Sequence, residues 1–211
     1  MMEFDKLIFH LEKKIDTDLP GNDSHQKMQV DYREKIKFPF IINKAKPAAV
    51  LLLLYPNNDQ IFFYLTKRST SLKYHKGQIS LPGGSKEKDE TLLETALRET
   101  EEEIGINRNK ISILGAITPL FIPVTGFMMT PFIGFISKKP LIKLNSIEVD
   151  EIFSVNMMDL INNDKLTTHR QIKGKHLNVP YFRLNKHQVW GATSMVLSEF
   201  KDIILLINKN K

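Results

Sequence analysis

No cysteine occurs among the 211 residues, so disulfides, a thiolate nucleophile and a zinc–cysteine centre are all excluded. A reducing interior fits that composition. No apolar run approaches the roughly 18 residues needed to cross a bilayer, and the opening MMEFDKLIFHLEKK breaks its short apolar stretch with acids, unlike a secretory signal. The closing Asn-Lys-Asn-Lys is not a peroxisomal tripeptide. These absences set the expectation of a cytoplasmic protein with no membrane partner. The six histidines form no HExxH pair, and no Gly-x-Ser-x-Gly is present, so neither a zinc protease nor a serine hydrolase is indicated.

With 42% hydrophobic residues the chain can bury a substantial core. Its formal charge of +6 is unevenly spread. Residues 87–103 carry eight acids against Lys88 and Arg98, a net of −6, which leaves +12 for the rest. A basic body around an acidic segment suits a polyanionic small molecule whose phosphates meet Lys and Arg. Nucleic acid is the weaker reading, because scattered lysines in an Asn/Lys/Ile-rich chain follow from composition alone. Within the acidic segment, Glu99, Glu102 and Glu103 stand at i, i+3 and i+4 and converge on one helical face. Their mutual repulsion points to a divalent cation that would offset it, and an all-oxygen set favours Mg²⁺ or Mn²⁺ over zinc.

Residues 4–15 read as an amphipathic helix, followed by a breaker-rich stretch at 18–24 and a polar segment to Lys37; residues 1–44 are taken as an N-terminal helical appendage to a domain spanning 45–211. Strands are expected at 48–55 and 60–66 with a turn between them, then at 78–81, 111–117, 130–136, 149–155 and 179–184. Helices are expected at about 90–104, ended by Gly105, for one turn at 157–161, and at 192–207. A loop at 119–126 carrying Phe121, with Phe127 at its end, is read either as a pocket wall or as simple packing. The interleaving gives an α/β fold with a mixed sheet between helices.

Gly84, Glu90, Arg98, Glu99, Glu102, Glu103, Gly105 and Ile106 fall in the register of a Nudix box, which the segment resembles throughout except for Thr100 at an apolar position. Upstream, LTKRSTSLKYHKGQISLPGG resembles the signature of the coenzyme A diphosphatase branch of Nudix hydrolases at Thr66, Arg68, Ser69, Gly77, Pro82, Gly83 and Gly84. It departs from that signature at Tyr64, Lys73 and Leu81; Lys73 keeps a charge but loses bidentate phosphate geometry. A third stretch, HQVWGATSMVL, is similar to the Trp-Gly-Ala-Thr segment that opens the last helix of that branch, and its Trp190 is read as core packing rather than a pocket border.

The resemblance implies the Nudix fold and hydrolysis of coenzyme A or acyl-coenzyme A to 3′-phospho-AMP and (acyl-)4′-phosphopantetheine. Glu99, Glu102 and Glu103 would bind Mg²⁺ or Mn²⁺, and Arg98 would fix those ligands, pairing with Glu90 or another box acid. Arg68, Lys73 and His75, with Gly83 and Gly84, would bind the substrate. The general base would be a box glutamate or one of Glu148, Asp150 and Glu151, with Glu151 carried as the named candidate. A homodimer is also implied. The alternatives are a Nudix hydrolase acting on ADP-ribose or another nucleoside diphosphate derivative, and a catalytically silent nucleotide sensor or RNA-binding module.

Overall fold

The computed structural model describes residues 3–31, 41–70, 77–172 and 174–209. Eight of its strands form one mixed sheet: β1 (Lys46–Asn57), β2 (Gln60–Arg68), β3 (Ile79–Ser80), β4 (Gly83–Ser85), β5 (Ser112–Ala116), β6 (Leu120–Ile122), β7 (Phe127–Phe135) and β8 (Val149–Asn156). The sheet is built on a β1–β2 hairpin turning at Asn58 and Asp59, both at positive φ, where short polar side chains tolerate the left-handed region. On its other edge β1 runs parallel to β7 from Lys46↔Phe127 to Leu54↔Phe135. The long connection this pairing requires contains α3 (Leu92–Ile104).

The uninterrupted apolar run of β1 follows from cover on both faces. Leu51, Leu53 and Tyr55 cluster with Ala96 and Ile104 of α3. Val50, Leu52 and Leu54 join Leu7 and Leu11 of α1 (Phe4–Ile15) and Phe200 and Ile203 of α5 (Ala192–Lys209). The mixed sheet therefore lies between helices, as expected. The N-terminal residues expected to form an appendage contribute to this same core: Leu7, Ile8, Leu11, Ile15 and Met28 are all buried in it.

A short helix, α2 (Gly21–Lys27), stands where breakers and polar residues suggested irregular chain. Its support is tertiary rather than intrinsic. The fully buried Glu199 of α5 accepts from Gly21 N–H (3.2 Å), His25 Nε2 (2.8 Å) and Thr118 Oγ1 (2.6 Å), while Asp202 accepts from Ser24 and from Lys27 Nζ. These bonds tie α2 and the chain just after β5 to α5.

The helical turn expected at 157–161 is α4 (Met157–Ile161). Three further strands, β9 (Leu166–Ile172), β10 (Lys175–Leu184) and β11 (His187–Trp190), form a separate antiparallel sheet. Trp190 is half-buried there, packed against Val30, Leu177 and Val179 with the Arg170 guanidinium 4.8 Å above its ring. The expected loop at 119–126 is instead largely a tight hairpin, in which β6 pairs with β7 through Phe121↔Met128 and Ile122↔Phe127.

Candidate active site

Thr91 starts α3 through a capping box: its hydroxyl accepts from Glu94 N–H (3.2 Å) and the Glu94 carboxylate accepts from Thr91 N–H (2.6 Å). Gly105 closes the helix, its N–H bonded to Glu101 O at 2.9 Å. Between these caps the core stripe includes Thr100, fully buried. Its hydroxyl donates to Ala96 O (2.7 Å), so the polar atom at this apolar position is satisfied.

The opposite stripe carries the acids, and Arg98 organises them. Its Nε and Nη2 grip Glu90 in a fork at 3.1 and 3.0 Å, and Nη1 reaches Glu99 (3.0 Å) and Glu102 (2.9 Å). Glu90 also accepts from Thr95 Oγ1 and Glu87 N–H. With the guanidinium hydrogen bonds as the main cause, its carboxyl is held down to about 2, and Arg98 is raised in turn. Glu90 is therefore a buttress for Arg98.

Glu99 and Glu103 meet Glu148, with one carboxylate oxygen of each lying within 4.8 Å of the others. Glu148 precedes β8 and is drawn in by the loop before it, where Lys143 N–H donates to Ile104 O (3.0 Å) and Asn145 N–H to Glu103 O (3.2 Å). Glu102 is about half exposed (49%) and faces Arg98, standing at the rim of this cluster.

Beneath the acids pass Gly83 and Gly84. Gly83 has φ +152°, and a Cβ there would collide with the Ala49 carbonyl on β1. Its N–H donates to Glu103 Oε2 at 3.3 Å. A Cβ on Gly84 would sit inside the Glu99 carboxylate, so the bare backbone makes the room that carboxylate occupies.

Alternation along β2 decides which cations share this face. Phe62 and Tyr64 pack on the α3 side, Phe63 and Leu65 on the α5 side. Arg68 keeps the first phase, and its charge partly offsets the cost of ionising Glu103. Its Nε is buried without a hydrogen-bond partner among the described residues. Glu151 falls on the other side: on β8, Ile152 belongs to the α3-side cluster and Phe153 to the α5-side cluster. The Glu151 carboxylate meets Lys186 Nζ and His187 Nε2, each at 3.2 Å. Asp150, also named as a candidate base, accepts from Thr70 N–H at 3.0 Å. The structure thus gathers Glu99, Glu103, Glu148, Arg68, Gly83 and Gly84, buttressed by Arg98, and sets Glu151 elsewhere. Lys73 and His75 lie outside the described residues.

The cluster is electrostatically frustrated. Burial first, and then the Glu99 charge, push the Glu103 carboxyl up from 4.5 to about 8, and burial also raises Glu99. A dication fits this site: it relieves like-charge repulsion among oxygen ligands of the kind Mg²⁺ and Mn²⁺ prefer. The metal-free protein carries the cost as a pH dependence. Between 4.5 and about 8 the unfolded chain has released the Glu103 proton while the folded chain retains it, so rising pH favours unfolding until the folded group ionises. Its melting temperature in EDTA is expected to fall across that window and to recover on adding Mg²⁺. A flat melting profile with no response to Mg²⁺ would contradict the assignment.

Comparison with known proteins gives a consistent relationship. The NUDIX domain family matches residues 45–176. A Caenorhabditis elegans protein named Nudix hydrolase 3 is 32% identical over 174 residues, covering 74% of this chain and 72% of the relative. A Pectobacterium atrosepticum protein named Uncharacterized Nudix hydrolase NudL is 30% identical over 164 residues, covering 75% of this chain and 82% of the relative. Among solved structures, the Mycobacterium smegmatis Nudix hydrolase RenU superposes with a TM-score of 0.55 at 17% identity, covering 77% of this chain and 87% of that one, a likeness of fold.

Proposed function

Because the chain belongs to the Nudix family, we propose that it hydrolyses the diphosphate bridge of coenzyme A or acyl-coenzyme A, releasing 3′-phospho-AMP and the (acyl-)4′-phosphopantetheine portion. The observation that carries the reading is the junction of Glu99, Glu103 and Glu148 above Gly83–Gly84, with Arg68 on the same face. The coenzyme A assignment is supported by the Thr66-to-Gly84 signature.

Glu99 and Glu103, with Glu148 and the rim carboxylate of Glu102, would hold Mg²⁺ or Mn²⁺, which when bound polarises phosphate oxygens and acidifies water. The chain's own groups do the remainder. Arg98 fixes the orientation of Glu99 and Glu102. Glu148 is the favoured acceptor of the attacking water's proton at a carboxylate oxygen, since Glu151 is held across the sheet by Lys186 and His187. The Arg68 guanidinium, with an Nε–H that no described group accepts, donates to an oxygen of the bridge. Phosphoryl chemistry of this kind depends chiefly on such positioning and charge stabilisation.

Product analysis by mass spectrometry tests the reading, with coenzyme A, acetyl-coenzyme A, ADP-ribose and a nucleoside triphosphate offered in parallel. Formation of 3′-phospho-AMP and 4′-phosphopantetheine, abolished by EDTA, is expected. Cleavage of only the other compounds would overturn the coenzyme A assignment, and no cleavage would favour a silent sensor. Arg68→Ala is expected to lower turnover of coenzyme A and dephospho-coenzyme A alike, by about 10- to 100-fold for a lost charge-assisted donor. A loss confined to coenzyme A would place Arg68 at the 3′-phosphate instead.

A further inference from the structure

The connection from β7 to β8 is unlike the rest of the surface. It exposes Leu141 at 94%, Ile147 at 75%, Leu144 at 41% and Ile142 at 36%. Clustered aliphatic exposure of this kind marks an interaction surface. The side chains cannot readily fold away, because the backbone is pinned at both Lys143 and Asn145 to the end of α3. A Cβ at Gly105 would strike Lys143, so the loop sits hard against the helix end.

Within the connection itself the charge has one sign. Residues 137–147 contain Lys138, Lys139 and Lys143 and no acid. The pairing Ser112↔Phe135 brings the start of β5 beside the end of β7, a few residues after exposed Lys110. The nearby acids face other groups: Glu101 meets Arg108 (2.6 Å), Glu102 meets Arg98 (2.9 Å), and Glu148 turns toward Glu99 and Glu103, so the basic character is that of the loop's own lysines.

We propose that this loop docks the protein peripherally on an anionic lipid bilayer, with Leu141 and Ile147 entering the headgroup–acyl boundary and the lysines meeting lipid phosphates. A fluid interface accepts isolated aliphatic side chains without a matching pocket, and basic residues add attraction to anionic headgroups. A second copy of this chain is a poorer occupant, since a two-fold contact would set this basic patch against itself. No described helix is long and apolar enough to span the bilayer, so attachment would be at the surface. The proposal is independent of which diphosphate the enzyme cleaves.

Cosedimentation of the full chain tests it, using vesicles of phosphatidylcholine alone and of phosphatidylcholine with phosphatidylglycerol. Binding is expected only to the anionic vesicles and should weaken with added salt. Lys138→Glu combined with Lys139→Glu should reduce it at least about tenfold, and Leu141→Asp should also reduce it, with hydrolysis of soluble substrate unchanged in both variants as a check on folding. The proposal is overturned by failure to bind anionic vesicles, by equal binding to neutral ones, or by wild-type binding in both variants. A concentration-dependent dimer that Leu141→Asp dissociates, without vesicle binding, would assign the patch to a second copy.

Discussion

Glu103→Gln is expected to lower kcat by at least about a thousandfold, the scale of losing a principal electrostatic element of a phosphoryl-transfer site. The amide preserves the shape of the side chain and its place against the Gly83 N–H, but removes the charge that shares a cation with Glu99 and Glu148. Stability should move the other way. Above pH 8 the wild-type carboxylate is ionised at a position only 3% exposed, and the amide carries no such burden. The variant should therefore melt higher than wild type in EDTA and lose most of the stabilisation by Mg²⁺. Parallel measurements of turnover and melting above pH 8 check both halves. Near-normal turnover would remove Glu103 from the catalytic centre, and a lower melting temperature in EDTA would show that its carboxylate supports the fold.

The second large effect falls on folding. Glu199→Ala deletes the shared acceptor of Gly21, His25 and Thr118 and leaves the buried donors of Gly21 and His25, and the half-buried hydroxyl of Thr118, without it. Loss of one member of such a buried network costs about 3–5 kcal/mol. Because Glu199 joins α2 to α5, limited proteolysis should cut the N-terminal segment sooner than in wild type. Urea unfolding measures the first effect, and cleavage mapping around 16–31 the second. A midpoint unchanged from wild type would show that the network holds nothing together.

The elements legible in the sequence are those whose apolar pattern needs no distant partner. Leu7, Ile8, Leu11 and Ile15 define α1 by helical spacing alone, and the box helix is marked by Glu99, Glu102 and Glu103 at helical spacing and by Gly105 at its end, while the Thr91–Glu94 capping box that sets its start at Leu92 was a signal passed over. Polar elements without an apolar period were not legible. α2 has little apolar periodicity and depends on Glu199, far along the chain. β9, with the sequence LTTHRQI, is mostly exposed and gains its form by pairing with β10.

The site divides in the same way. Glu99 and Glu103 could be placed together because one helix carries both. Glu148 joins them through the loop before β8, which Lys143 and Asn145 anchor on the Ile104 and Glu103 carbonyls. Glu151 looked equivalent in sequence. A register shift between Lys67 and Arg68, opposite Asp150, leaves Glu151 paired with Lys67 and Val149 with Arg68. Period-two reading of Ile152 and Ser154 against Phe153 and Val155 is the signal that separates Glu151 from the α3 face.

The parallel register of β1 with β7 also sets an order of events during synthesis. Each β1 residue from Lys46 to Leu54 waits for a partner about eighty residues further on, with α3 lying in between. The β1–β2 hairpin can form as soon as it leaves the ribosome, but one edge of its most apolar strand remains unpaired until β7 emerges. Closing so long a loop is entropically slow. The nascent chain is therefore most prone to aggregate during that interval, and α1 and the β1 face it will share remain uncovered until α5 arrives.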